Sequence, residues 1–72
     1  MRVLIVGYGK MGRLVDQLAT DQGHTVAGRF DVGEGDWTVP ADVAIDFTTA
    51  EALRDNFPRY LERRLNVVIG TT

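Results

Sequence analysis

The 72-residue sequence contains no cysteine and a single histidine. Without cysteine it forms no disulfide and no thiolate metal site, which is consistent with a reducing compartment. It also has no long apolar run, because the first one, residues 3–6, leads at once into a glycine turn and is too short for a signal peptide or a membrane span. We therefore expect a cytoplasmic protein that does not bind a membrane.

A basic surface is also missing, since the net charge is −2 and the isoelectric point is about 5.1. Phosphate-rich nucleic acids require a basic face, so we expect no nucleic acid partner. The two small basic groups, Lys10 with Arg13 and Arg59 with Arg63 and Arg64, are predicted to be solvent-exposed helix faces. No set of His, Asp and Glu has metal-ligand spacing, so we expect no metal site.

The clearest pattern lies in the first 23 residues. The short β-branched run of residues 2–6 is typical of a strand buried in a parallel sheet. The glycines Gly7, Gly9 and Gly12 follow it. A helix with one apolar stripe is then predicted, ending at Gly23. The stripe consists of Met11, Leu14, Val15, Leu18 and Ala19.

The remaining sequence continues this alternation. Residues 24–30 and 43–47 read as strands, separated by a loop without helical period, and residues 66–70 form a fourth strand. Between the last two strands, Thr48 as N-cap and Glu51 at N3 match a capping box. We expect Pro58 to kink or restart this second helix. Its predicted buried face carries Leu53, Phe57, Tyr60 and Leu61.

Strands alternating with helices predict an α/β fold with four parallel strands in the order 2-1-3-4 and two main helices. The fourth strand lacks a following element to cover its edge, which natural proteins rarely leave open. We therefore interpret residues 1–72 as the amino-terminal part of a dinucleotide-binding domain, with the substrate-binding and catalytic domain absent.

The glycine pattern has the context of a Rossmann dinucleotide site: a strand before it, a helix after it, and an acid beyond the next strand. Gly7 allows the tight turn, Gly9 the approach of a pyrophosphate, and Gly12 close helix–strand packing. Asp31, nineteen positions after Gly12, is predicted to accept hydrogen bonds from the adenosine ribose. The alternatives are a glycine-rich turn of an unrelated α/β domain and an aspartate that merely starts a turn.

The expected position in the sheet indicates which other residues can take part in chemistry. Ligands of open α/β sheets bind at the carboxyl ends of the strands, which suits the segment 70–72 and Thr48, although strand-end and helix-capping roles also explain them. His24 falls at the opposite edge and is not expected to act as acid or base. We expect Asp46 to bind a backbone or hydroxyl donor, and Trp37 to anchor its loop.

Three segments resemble the 4-hydroxy-tetrahydrodipicolinate reductase (dihydrodipicolinate reductase) family of lysine biosynthesis through diaminopimelate. They are Val-Gly-Tyr-Gly-Lys-Met-Gly-Arg at 6–13, Ile-Asp-Phe-Thr at 45–48 and Val-Ile-Gly-Thr-Thr at 68–72. The resemblance covers the whole chain but only the amino-terminal portion of the family's length. It implies hydride transfer from NADH or NADPH to a cyclic imine-type dicarboxylate in a homotetramer.

The resemblance also implies a set of cofactor-binding residues, while the family's catalytic histidine and lysine would lie later and no catalytic residue is predicted here. Many members carry a basic residue where this sequence has Val32, and a longer loop between the second and third strands. Asp31 is expected to repel the 2′-phosphate of NADPH, and Val32 adds no compensating charge, so we predict NADH to be somewhat preferred over NADPH. The alternatives are another small dehydrogenase, such as an aspartate dehydrogenase, and a stand-alone nucleotide-binding module. The predicted cofactor-binding residues are Gly7, Tyr8, Gly9, Lys10, Met11, Gly12, Asp31, Phe47, Thr48, Gly70, Thr71 and Thr72.

Overall fold

A computed structural model describes residues 1–31 and 35–70 of the chain. These residues form an α/β fold with one parallel sheet and two helices, as predicted. Neither helix of the described residues has the length and apolar character needed to cross a bilayer. The elements are β1 (Arg2–Val6), α1 (Lys10–Asp21), β2 (Thr25–Phe30), β3 (Val43–Asp46), α2 (Ala50–Arg63) and β4 (Asn66–Ile69).

The strands lie in the order β2-β1-β3-β4, which confirms the predicted order 2-1-3-4. Val6 at the end of β1 pairs with Phe30 of β2 and with Asp46 of β3, and Asp46 pairs with Ile69 of β4. All four strands therefore end in register at one edge of the sheet. The residues that follow each strand meet at that edge.

The main core lies between the sheet and α2. It contains Leu4, Val6, Phe30, Ala44 and Tyr60, each at most 3% exposed. Trp37 closes this core from the loop after β2, with its ring centroid 5.0 Å from that of Phe30 and 5.5 Å from that of Tyr60. The prediction that Trp37 anchors its loop is confirmed.

The buried face of α1 differs from the predicted stripe. Met11, Leu14 and Leu18 are 51–55% exposed, whereas Gly12 and Asp16 are buried. Val15 and Ala19 of the predicted stripe are partly buried. The packing face is thus rotated by roughly a quarter of a turn from the predicted one. The reason is close contact at the first turn, where a Cβ on Gly12 would lie 2.8 Å from the carbonyl oxygen of Gly7, so that the small side of the helix faces the sheet.

The predicted face of α2 is correct for Tyr60, which is buried, and for Leu53, which is partly buried. Phe57 and Leu61 are instead 43% and 69% exposed. Arg63, predicted to be solvent-exposed, is instead partly buried and donates to the carbonyl oxygen of Val39. The other four basic residues of the two groups are exposed, as predicted.

The start of α2 also differs from the prediction. Thr49, not Thr48, is the N-cap, and its hydroxyl oxygen accepts from the backbone N–H of Ala52 at 3.2 Å. Thr48 lies one residue before the N-cap, and its hydroxyl is directed to the buried Asp46, to which it donates. The helix then continues through Pro58 as one element, so the predicted restart does not occur.

Candidate functional site

A cleft of about 400 Å³ opens at the edge where the strands end. Every predicted cofactor-binding residue in the described part of the chain lines it, with the exception of Tyr8. Thr71 and Thr72, together with Val32, lie outside the described residues. Thr49 also lines the cleft and was not predicted. The lining residues are Gly7, Gly9, Lys10, Met11, Gly12, Asp31, Phe47, Thr48, Thr49 and Gly70.

Contacts with the neighbouring strand ends fix the start of the glycine loop at Gly7. This residue has φ +88°, and a Cβ there would lie 3.0 Å from backbone atoms of Phe47 and Thr48. The backbone N–H groups of Gly7 and Tyr8 both donate to the carbonyl oxygen of Phe30, at 2.7 and 3.1 Å. Conformation and packing therefore both require glycine at position 7.

Gly9 differs from Gly7 and Gly12 because no described residue requires it to be glycine. Its φ is −99°, outside the left-handed region, and a Cβ there would meet no described atom within 4 Å. The space above it belongs to the cleft. A side chain at Gly9 would thus fill part of the cleft without touching the fold.

The two helices differ in the groups that compensate the free N–H groups and the positive dipole at their N-termini. At α2, Thr49 provides a side-chain cap and Glu51 places a negative charge in the first turn. At α1, the N-cap is Gly9, which has no side chain, and the first turn carries no acid. The N–H groups and the positive dipole end of α1 consequently face the cleft without an acidic side chain, an arrangement suited to a bound anion.

The glycine loop divides the cleft into two sides. Asp31 follows β2 on one side, next in the chain to Phe30, to which the loop is bonded. Phe47 and Gly70, which follow β3 and β4, lie on the other side, where a Cβ on Gly70 would come within 2.5 Å of the Phe47 ring. A side chain at position 70 would therefore displace the Phe47 ring.

Asp46 supports the second side from within the sheet and is completely buried. Its Oδ1 accepts from the backbone N–H of Thr48 at 2.8 Å and from the Thr48 hydroxyl, and its Oδ2 accepts from the Tyr60 hydroxyl at 2.6 Å. Burial, reinforced by this hydrogen bond, raises the pKa of Tyr60 and keeps its hydroxyl protonated. The prediction that Asp46 binds backbone and hydroxyl donors is confirmed.

The opposite edge of the sheet carries His24, as predicted. Its Nδ1 lies 3.4 Å from the amino group of Met1, and Arg2 and Asp42 form an exposed ion pair at the same edge. Within residues 1–31 and 35–70, no three His, Asp or Glu side chains are placed to hold a metal ion.

Sequence reasoning missed a polar cluster beside the glycine loop, formed by Tyr8, Asp16 and Arg29. Asp16 accepts from both other side chains. The available signal was Asp16 itself, a charged residue beside the apolar positions 14, 15 and 18 of α1. The apolar period does not predict its burial, because a lone charge on a helix is usually solvated.

Comparison with known proteins shows the family of this chain. The family described as dihydrodipicolinate reductase, N-terminus, matches residues 1–72. The chain belongs to this family. The family match favours the reductase interpretation over the two alternatives raised from the sequence.

Individual relatives agree with this assignment. The chain is similar to the 4-hydroxy-tetrahydrodipicolinate reductases of an Exiguobacterium species (39% identity over 79 residues), Archaeoglobus fulgidus (40% over 93) and Staphylococcus epidermidis (39% over 85). Each alignment includes the whole chain but only 32–36% of the relative. The chain therefore spans about a third of the length of the curated relatives it matches. Because the alignments are longer than 72 residues, these relatives carry additional residues within the matched region.

Proposed function

We propose that the cleft binds a nicotinamide dinucleotide, NADH or NADPH. The pyrophosphate lies over the N-terminus of α1 beside Gly9, and the adenosine ribose donates hydrogen bonds to Asp31. The nicotinamide lies on the other side, near Phe47, Thr48 and Gly70. The family assignment and the two-sided cleft support this arrangement.

The observation that carries the proposal is the open space at Gly9. A Cβ at Gly9 would meet no described atom within 4 Å, so the space that glycine leaves open there is available to a molecule that approaches the backbone. Gly9→Val should weaken NADH binding at least tenfold, because the branched side chain occupies the place of the pyrophosphate. The free energy of unfolding without nucleotide should change by no more than about 1 kcal/mol, the scale of an N-cap effect.

Nucleotide titration by fluorescence, paired with denaturant unfolding, separates these two effects. Gly12→Ala is the contrasting variant, since its Cβ would collide with the Gly7 carbonyl and disturb the fold itself. An unchanged dissociation constant in Gly9→Val would remove the main support for a dinucleotide in this cleft.

We further propose that residues 1–72 form the amino-terminal, cofactor-binding part of a longer cytoplasmic reductase. Its substrate is a cyclic imine-type dicarboxylate on the diaminopimelate route to lysine, and its assembly is a homotetramer. The bound nicotinamide supplies the hydride. Among the described lining residues, Lys10 and Asp31 are the titratable ones and both belong to the glycine-loop and β2 side. The proton donor and the substrate contacts then come from residues beyond this chain.

This second proposal has its own test. The 72-residue chain should not oxidise NADH in the presence of the imine substrate, whereas the full-length protein should, because hydride transfer requires a bound and oriented acceptor. NADH oxidation by a 72-residue chain of verified mass would contradict the proposal that the catalytic groups lie outside this chain.

The proposed cofactor preference follows from two opposing charges in the cleft. The Asp31 carboxylate favours the free ribose of NADH through charge-assisted hydrogen bonds and repels the 2′-phosphate of NADPH. The Lys10 ammonium attracts that phosphate. Lys10 is exposed, so its contribution is about 1 kcal/mol or less. We therefore propose that both cofactors bind and that NADH binds somewhat better.

A further inference from the structure

A side-chain cluster outside the cleft joins three segments of the chain: Tyr8 from the glycine loop, Asp16 from α1 and Arg29 from β2. The Oδ2 of Asp16 accepts from the Tyr8 hydroxyl and from Nε of Arg29, each at 2.6 Å. Its Oδ1 accepts from Nη2 of Arg29 at 3.2 Å. The two Arg29 bonds form a forked pair, a geometry that fixes orientation as well as distance.

The cluster is not an ordinary surface ion pair. The Asp16 side chain is 13% exposed, although that of Arg29 is 48% exposed. The hydrogen bonds from Arg29 and Tyr8 lower the pKa of Asp16, while the bond to Asp16 raises the pKa of Tyr8. At neutral pH the aspartate therefore stays an acceptor and the tyrosine stays a donor.

The glycine loop and the end of β2, which the cluster links through Asp16, are also joined by main-chain hydrogen bonds. The N–H groups of Gly7 and Tyr8 donate to the carbonyl oxygen of Phe30, and the side chains of Tyr8 and Arg29 converge on Asp16. Residues 29–30 are thus bonded to residues 7–8 through both main chain and side chains. Asp31 is the next residue, and it follows an edge strand that pairs with β1 alone among the described strands.

We propose that Tyr8, Asp16 and Arg29 are positioning residues that set the separation between the Asp31 carboxylate and the first turn of α1. This inference rests on the proposed function. In a dinucleotide, the adenosine ribose and the pyrophosphate are joined through the 5′-methylene group, which limits the distance between them. Their two binding groups must match that spacing to within about 0.5 Å for full affinity. The cluster therefore supports the adenosine half of the ligand and not the nicotinamide half.

The test compares the two halves of the cofactor in the full-length protein. Tyr8→Phe removes only the hydroxyl, and Arg29→Gln removes the forked pair. Both variants should weaken binding of NADH and of ADP-ribose three- to tenfold, measured by calorimetric or competition titration. Binding of reduced nicotinamide mononucleotide should stay within twofold of the wild type. Arg29→Lys should resemble Arg29→Gln, because lysine keeps the charge but lacks the fork.

Arg2→Gln is the matched control. It breaks a second Arg–Asp pair of the described residues, in which Arg2 Nη2 lies 3.2 Å from Oδ1 of Asp42 at the opposite edge of the sheet. This variant should leave the affinity for all three ligands unchanged. Equal weakening of both half-ligands in Arg29→Gln, or unchanged ADP-ribose affinity in Tyr8→Phe and Arg29→Gln, would overturn the inference. Failure of the wild-type protein to bind NADH would instead overturn the proposed function.

Discussion

The hydroxyl of Tyr60 in α2 donates a 2.6 Å hydrogen bond to Oδ2 of Asp46, a completely buried residue at the end of β3. The other oxygen of the same carboxylate holds the backbone N–H and the hydroxyl of Thr48, which lines the cleft. One buried group therefore connects the packing of α2 to the shape of the site. Because a buried carboxylate without donors is costly, each of its partners contributes to stability.

We predict that Tyr60→Phe lowers the free energy of unfolding by about 1–3 kcal/mol, since Asp46 loses a buried donor. The ring remains available to pack against Trp37. Denaturant unfolding measures the loss. Tyr8→Phe deletes the same hydroxyl at a partly exposed position and should cost less. Equal losses of unfolding free energy in the two variants would show that burial does not increase the contribution of the Tyr60 hydroxyl.

Gly12→Ala should destabilise the protein by about 1–2 kcal/mol. The added Cβ lies 2.8 Å from a backbone oxygen, that of Gly7, which moves only with the loop. Overpacking of this kind costs about 1–3 kcal/mol, and the better helix propensity of alanine returns up to about 1 kcal/mol. Thermal or denaturant unfolding checks the sign. A stabilised Gly12→Ala variant would show that helix propensity outweighs the contact.

The stabilising effect of the Asp16–Arg29 pair should depend on pH. The folded-state pKa of Asp16 is lowered below its ordinary value of 3.8, first by the hydrogen bond from Arg29 and then by that from Tyr8. Its contribution is therefore complete well above pH 3.8 and is lost as the pH falls through the lower, folded-state pKa. Wild type should exceed Asp16→Asn in unfolding free energy at pH 7, and the difference should shrink below about pH 4.

Unfolding of both proteins between pH 7 and pH 2 measures this difference. The pKa values of Asp36 and Asp42 are also lowered, by Thr38 and Arg2 respectively, but these carboxylates titrate in both proteins and cancel. A difference that stays constant down to pH 2 would show that Asp16 does not gain stability from its charge.

The cofactor preference should respond in opposite ways to two substitutions. Asp31→Ser should erase or invert the preference for NADH. In the wild type, the 2′-phosphate of NADPH replaces a ribose hydroxyl that is hydrogen-bonded to the Asp31 carboxylate, at a cost on the order of 1–3 kcal/mol. Serine removes the carboxylate and with it this cost. Lys10→Ala should weaken NADPH and leave NADH nearly unchanged. Dissociation constants for both nucleotides in the three proteins provide the test. A tenfold wild-type preference for NADPH, about 1.4 kcal/mol, would contradict the proposed balance.

The amino-acid sequence by itself determined the topology and the location of the site. Alternating strand and helix patterns require parallel pairing with right-handed crossovers, which leaves few strand orders. The glycine spacing and Asp31 then place a cleft where the strands end, since residues that follow parallel strands share one edge. These features depend on periods and spacings along the chain, and the observed sheet order agrees with them.

Only the tertiary structure decided which side chains face inward and which hydrogen bonds form. The contact of Gly12 with Gly7 turned α1 so that Asp16 is buried while Leu14 and Leu18 are exposed. The Thr48 hydroxyl donates to Asp46, and Thr49, not Thr48, is the N-cap of α2. Such choices depend on distances between residues far apart in sequence, and periodicity holds no information about them. A buried carboxylate needs hydrogen-bond donors, and these come from residues that only the fold brings next to it.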